Sequence, residues 1–131
     1  MSIRFGFIFA LILMSASVTG AAEAGFERTF TGSGMRARVS IVRALLGRTI
    51  LRVVLRTEDG QAVRHARIAV HVDMASMAMN PPGFAALHET RAGVYERAVT
   101  LTMPGHWKAD LRIGRPSGVT SLSLPFFVDL P

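Results

Sequence analysis

Val94-Tyr95-Glu96-Arg97-Ala98-Val99-Thr100-Leu101-Thr102-Met103-Pro104-Gly105-His106-Trp107-Lys108-Ala109-Asp110-Leu111-Arg112-Ile113 reads as two strands joined by a Pro-Gly turn. In the second limb Trp107, Ala109, Leu111 and Ile113 alternate with Lys108, Asp110 and Arg112. In the first, Tyr95, Val99, Leu101 and Met103 share a parity. A period of two places one set on a buried face and the other in solvent. Pro104-Gly105 supplies the fixed and the permissive backbone dihedrals of a tight turn. On this parity Trp107 and Tyr95 are core residues, and Met103 sits at the core's edge.

The same pattern continues outward in both directions. Residues 35–43 alternate Met35, Ala37, Val39 and Ile41 with Arg36, Arg38 and Ser40, and residues 48–56 alternate Leu51, Val53 and Leu55 with Arg52 and Arg56. Residues 66–73 place Ala66, Ile68, Val70 and Val72 inward, with Arg67, His71 and Asp73 outward. Further strands are expected over residues 84–89 and 119–128, and residues 25–34 read as a Gly/Thr/Ser-rich lead-in. Glu58-Asp59-Gly60-Gln61, Arg91-Ala92-Gly93 and Arg115-Pro116-Ser117-Gly118 are turns, and Pro81-Pro82-Gly83 cannot lie in a central strand. With the two limbs quoted above, about seven short antiparallel strands result. That count in about 100 residues predicts an all-β, immunoglobulin-like antiparallel β-sandwich.

The amino terminus has the three parts of an export signal. Arg4 gives the positive start, residues 5–14 (FGFIFALILM) an apolar run, and residues 15–24 (SASVTGAAEA) a small-residue tail. Ala22-Glu23-Ala24 fits cleavage after Ala24, with Ala21 and Ala22 as neighbouring sites. Residues 1–24 are therefore expected to be a signal peptide and residues 25–131 one exported, periplasmic domain. The alternative is an uncleaved anchor, the only route to a membrane that the sequence offers. The chain has no cysteine, so its core must hold the domain together without disulfides, and thiolate metal chemistry is excluded.

Net charge is +6, and removing Arg4 with Glu23 leaves it unchanged. Lys108 is the single lysine. The arginines are scattered along the chain, mostly at outward strand positions. A nucleic-acid binder gathers such charge in one patch with aromatics between; one Trp and one Tyr in an exported chain argue against nucleic acid. Catalysis finds little support either: no Gly-x-Ser-x-Gly turn and no Gly-rich phosphate loop occur. The chain reads as a binding protein and not an enzyme.

Methionine is the chemical signal. Met74, Met77 and Met79 fall within six residues, and Met103 precedes Pro104-Gly105 and His106. Thioether sulfur is a soft ligand that suits Cu(I) and needs no deprotonation, and imidazole is a common nitrogen ligand. Met77 and Met79 are the lead candidates, with Met74, Met103 and His106 as further ligands. Strand parity turns Met74 toward the core, where methionine fills gaps. His65, His71 and His88 fit no zinc spacing.

The succession Asp59-Gly60, Val72–Met79 (VDMASMAM), Ala92-Gly93-Val94-Tyr95 and Met103-Pro104-Gly105-His106-Trp107 resembles the YtkA-like domain, a family related to FixH. The resemblance runs from about Val39 to Val128. It implies an exported bacterial Ig-like sandwich from a group often associated with copper or with assembly of copper-containing oxidases. The spanning helix and cytoplasmic tail expected of FixH itself have no counterpart in this sequence, a departure that argues against a direct role in oxidase assembly. Two functions follow: weak or transient Cu(I) binding and delivery to a copper-receiving protein, or a metal-free interaction module docking on a cell-envelope complex.

Overall fold

The computed structural model describes residues 25–42 and 46–130, and all of its regular structure is strand. The expected export signal, its cleavage point and the last residue of the 35–43 strand lie outside the described residues. Among those described, nine strands form: β1 (Phe26–Gly32), β2 (Met35–Ile41), β3 (Gly47–Thr57), β4 (Arg67–Met74), β5 (Ala85–Ala86), β6 (His88–Arg91), β7 (Val94–Leu101), β8 (Gly105–Arg115) and β9 (Gly118–Val128). They build two antiparallel sheets, β1-β2-β3-β7-β6 and β5-β4-β8-β9. The expected sandwich is present. No helix among the described residues is long and apolar enough to cross a membrane.

Alternation decides which side chains meet between the sheets. Val39, Ile41, Leu51, Val53 and Leu55 come from the first sheet, and Trp107, Ala109, Leu111, Ile113 and Val128 from the second; all are essentially excluded from solvent. Each fully buried side chain of Leu or Val size contributes about 1.5–3 kcal/mol relative to exposure. That burial replaces the missing disulfides.

Two departures from the sequence reading concern pairing. The lead-in is a strand: β1 runs along all of β2, from Phe26↔Ile41 to Gly32↔Met35. Its apolar face consists only of Phe26 and Phe30, four residues apart and half-buried, so the period-two signal is faint. The expected strand over 84–89 divides instead. Ala85–Ala86 pairs with β4, whereas His88–Arg91 pairs with β7 in the other sheet. Leu87 makes the crossing: its side chain is buried and its N–H donates to the Ile68 carbonyl at 2.8 Å.

The strand directions give the sandwich two distinct ends. At one, the 57–66 connection enters β4. The Tyr95 hydroxyl donates to the Val63 carbonyl (2.7 Å) and accepts from the Ala66 N–H (3.1 Å). The Glu89 carboxylate accepts the N–H groups of His65 (3.0 Å) and Gly93 (3.1 Å). Gly93 has φ +76°, and a Cβ there would lie 2.9 Å from both the Ala62 Cβ and the Leu55 carbonyl oxygen; no other residue fits. At the opposite end, β4, β7 and β9 finish and β8 begins, which brings residues 74–79 beside residues 103–106.

Candidate functional site

This second end is organised by Asp73. Parity places it outward on β4, yet its side chain is buried, at 6% exposure. The chain folds back over it, and Oδ1 accepts the N–H groups of Met79 (2.8 Å), Met74 (2.9 Å) and Asn80 (3.3 Å). Burial on its own would raise the carboxyl pKa. The amides of Met79, Met74 and Asn80, with the nearby His71 charge, outweigh it and hold the group below its ordinary value.

Neighbouring contacts pin the return limb of the loop to the outer face of β4. Asn80 Nδ2 donates to the Val72 carbonyl. His71 Nε2 lies 3.1 Å from the Pro81 carbonyl oxygen, so that nitrogen carries the proton and donates. Phe84 stands 6.1 Å from the His71 ring and lies under the Arg112 guanidinium, 3.9 Å from its centroid. The outgoing limb has a single backbone tie, from Ala75 N–H to the His106 carbonyl at 2.9 Å. Between these anchors residues 76–78 stand in solvent.

The candidate ligands divide accordingly. Met77 is 52% exposed and Met79 40%. Met74 is buried in the core, opposite Trp107 in the β4–β8 ladder. A Cβ on Gly105 (φ +129°) would fall 3.1 Å from the Met74 methyl, so the absence of a side chain at Gly105 makes room for it. Met103 corrects its expected place at the core's edge. The ladder of β7 stops at Leu101, the turn rotates the next residues outward, and Met103 is 40% exposed. Its carbonyl accepts the Trp107 indole N–H at 2.9 Å, which satisfies that buried donor.

His106 is exposed on the outer face of β8, edge-on to Phe127 with centroids 5.0 Å apart. His71 lies under the loop's return limb, while His88 is on the other sheet and His65 at the far end, 3.9 Å from Glu89.

The fold thus brings together at one end four of the five candidate side chains in accessible positions: Met77, Met79, Met103 and His106. Val42, Phe127 and Leu130 add exposed apolar surface to the same end. Among the described residues no group of three or more His, Cys, Asp or Glu could hold a metal ion, so a metal here would depend on thioether sulfur. Sequence reading missed Asp73. An Asp at a strand end, followed by a loop, commonly takes the next backbone N–H groups, and that signal was present in Val72-Asp73-Met74.

Comparison with known structures gives a soluble domain of PmoD from Methylocystis sp. (Rockwell), with a TM-score of 0.51 over 77% of this chain and 96% of that one at 13% identity. At that identity the likeness is one of fold. An engineered protein aligns at 16% identity over 72% of this chain and 20% of its own, with a TM-score of 0.48, too low to carry an argument. No curated protein matches the chain in a sequence search. The YtkA-like family matches residues 43–112, more than half of the chain, spanning β3 to most of β8 and both segments of the methionine end. The chain belongs to the YtkA-like family.

Proposed function

We propose that this YtkA-like domain is an exported, periplasmic Cu(I)-binding protein that holds the ion weakly and hands it to a copper-receiving partner. The observation that carries the reading is the exposure at one end of Met77 and Met79, on a loop anchored by Asp73, and of Met103 and His106, on the neighbouring β7–β8 connection and the start of β8. Met77 and Met79 are the principal ligands, with Met103 or His106 completing the set, and Met74 supports the site from the core. Cu(I) prefers soft sulfur and tolerates low coordination number. Thioethers release no proton on binding, so loading and release need no acid–base step. An open site of two or three thioethers exchanges its ion readily, as delivery requires, and no catalytic step is involved.

Anaerobic titration of the purified protein against a chromogenic Cu(I) chelator tests this. The domain should withdraw one Cu(I) per chain from a chelator of modest affinity. Failure to compete at any chelator strength would remove the metal reading. The exposed apolar residues Phe127, which packs edge-on against His106, and Leu130 at the same end favour the second reading, a metal-free module that docks on an envelope complex through that end. Complex formation without copper would support it.

A further inference from the structure

We propose that the free edge of β9 is a self-pairing surface, through which two copies of this chain join by a two-fold antiparallel strand pair. A sheet edge presents unpaired N–H and C=O groups, and natural edges are usually guarded by charge, by proline or by shortness. Three of the four edges here are guarded. β1 carries Glu27 and Arg28; β6 carries His88, Glu89 and Arg91 with a register shift; β5 is two residues long. β9 is the exception over most of its length: it has eleven residues and no charge, its one proline, Pro125, stands toward the far end, and among the described residues it pairs with β8 alone.

Pro125 sets the usable register. It lies within an unbroken ladder to β8, opposite Lys108. A residue without an N–H fits there only if its nitrogen faces the free edge. Residues of the same parity therefore turn their N–H and C=O groups outward, and Val119, Ser121 and Ser123 offer complete donor–acceptor pairs. A two-fold axis through Ser121 sets Ser121 against its own copy and Val119 against Ser123 of the second chain, in both directions. Every one of these is a hydrogen-bonded pair. Pro125 then falls opposite the Pro116-Ser117 turn, beyond the paired segment, so it ends the interface without obstructing it.

Side chains favour a second copy over another occupant. Between Thr120 and Leu122 of β9 and Phe30 and Met35 of the facing sheet lies an open cleft of about 240 Å³. In the symmetric register Thr120 of each chain meets Leu122 of the other, so each copy extends the wall of its partner's cleft. No charge opposes its like across the axis. The contact is isologous and closes at two chains. One strand pair is smaller than a standard stable interface, so the dimer forms with rising concentration.

Sedimentation velocity of the purified protein from micromolar to millimolar should show a monomer–dimer equilibrium. Hydrogen exchange should slow at the amides of Val119, Ser121 and Ser123 as concentration rises. Ser121→Glu places two carboxylates on the axis, while in its own chain it faces Arg112, so it should remain monomeric with an unchanged melting temperature. Ser121→Lys should also be monomeric, and an equimolar mixture of the two should form a heterodimer, which a merely structural role for Ser121 would not produce. A wild type that stays monomeric at millimolar concentration overturns the proposal. So does a dimer that Ser121→Glu leaves intact, or protection of the β9 amides that arises only when a strand from a different protein is added.

Discussion

The two ends of the sandwich use the same device for opposite purposes. At each, a carboxylate collects backbone amides from a connecting segment: Glu89 takes those of His65 and Gly93, and Asp73 those of Met74, Met79 and Asn80. At the Glu89 end the buried Tyr95 hydroxyl adds two more ties, so the 63–66 connection is fixed along its length. The surface there carries Arg36, Arg56, Arg64 and Arg91, all exposed. At the Asp73 end the anchors leave residues 76–78 without a tie, and the exposed groups include thioethers, apolar side chains and the His106 imidazole. One end closes a crossing; the other presents a loop. The difference lies in where the anchoring ends.

Trp107→Ala should break the methionine end most severely. The indole is 1% exposed, pairs with Met74 and donates to the Met103 carbonyl. Its loss should cost about 3–5 kcal/mol, a large share of a typical domain stability of about 5–15 kcal/mol. Chemical denaturation measures this, and an unchanged midpoint would mean that the floor of that end is not the indole. Tyr95→Phe is the matching cut at the other end. It leaves the Val63 carbonyl and Ala66 N–H without their partner, and should cost about 1–3 kcal/mol. The Tyr95 phenol is pushed up by burial, against the opposing pull of the Ala66 amide. A raised folded pKa means that its contribution is complete below the unfolded value of about 10 and is lost as pH rises through the folded one.

Acid should loosen both ends. Glu89 is held low first by the His65 and then by the Gly93 amide, and Asp73 by its three amides against the opposing effect of burial. Folded pKa values below the unfolded ones, about 4.3 and 3.9, give stability that is present above those values and is lost as pH falls through the folded ones. Asp73→Asn should therefore cost about 1 kcal/mol near neutrality, the scale of one net hydrogen bond, with the deficit shrinking below about pH 4. The separation between the ends appears in hydrogen exchange: the amides of Met79 and Asn80 should speed up in the variant, and those of His65 and Gly93 should not. Equal acceleration at both ends would mean that they are not independent.

The core was legible because burial at alternate positions is a local property. Ala37, Val39, Leu51, Val53, Leu111 and Ile113 each announce their face through their neighbours, and the inward residues of β2, β3 and β8 lie where parity puts them. What failed depends on partners distant in sequence. The split at Leu87 follows from Ala85–Ala86 finding β4 while His88 finds Glu96 of β7, a choice made in space. Met103 kept its parity in the sequence, yet β7 ended at Leu101, and Asp73 read as solvent-facing until six residues of returning loop covered it. The candidate site was legible as a composition, four methionines and a histidine in two segments. Its division into a buried Met74 and an exposed remainder came only with the β4–β8 register.

The smallest structural effect is expected where the functional effect is largest. Leucine matches methionine in volume and apolarity but cannot coordinate, and such swaps cost less than about 1.5 kcal/mol even in cores. Met77 and Met79 are exposed, so Met77→Leu with Met79→Leu should leave the melting temperature almost unchanged and the Asp73 anchors in place. Cu(I) affinity should nonetheless fall at least tenfold, about 1.4 kcal/mol, because two soft donors disappear with no replacement. Met74→Leu is the counter-experiment: it alters a buried side chain packed on Gly105, so any cost should appear in stability and none in Cu(I) competition. Zn(II) and Cu(II) binding should change less in the double variant, since those ions favour imidazole. Affinity that follows Met74 rather than Met77 and Met79 would move the metal from the loop into the core, and equal affinity in the wild type and both variants would leave the exposed methionines to the docking surface alone.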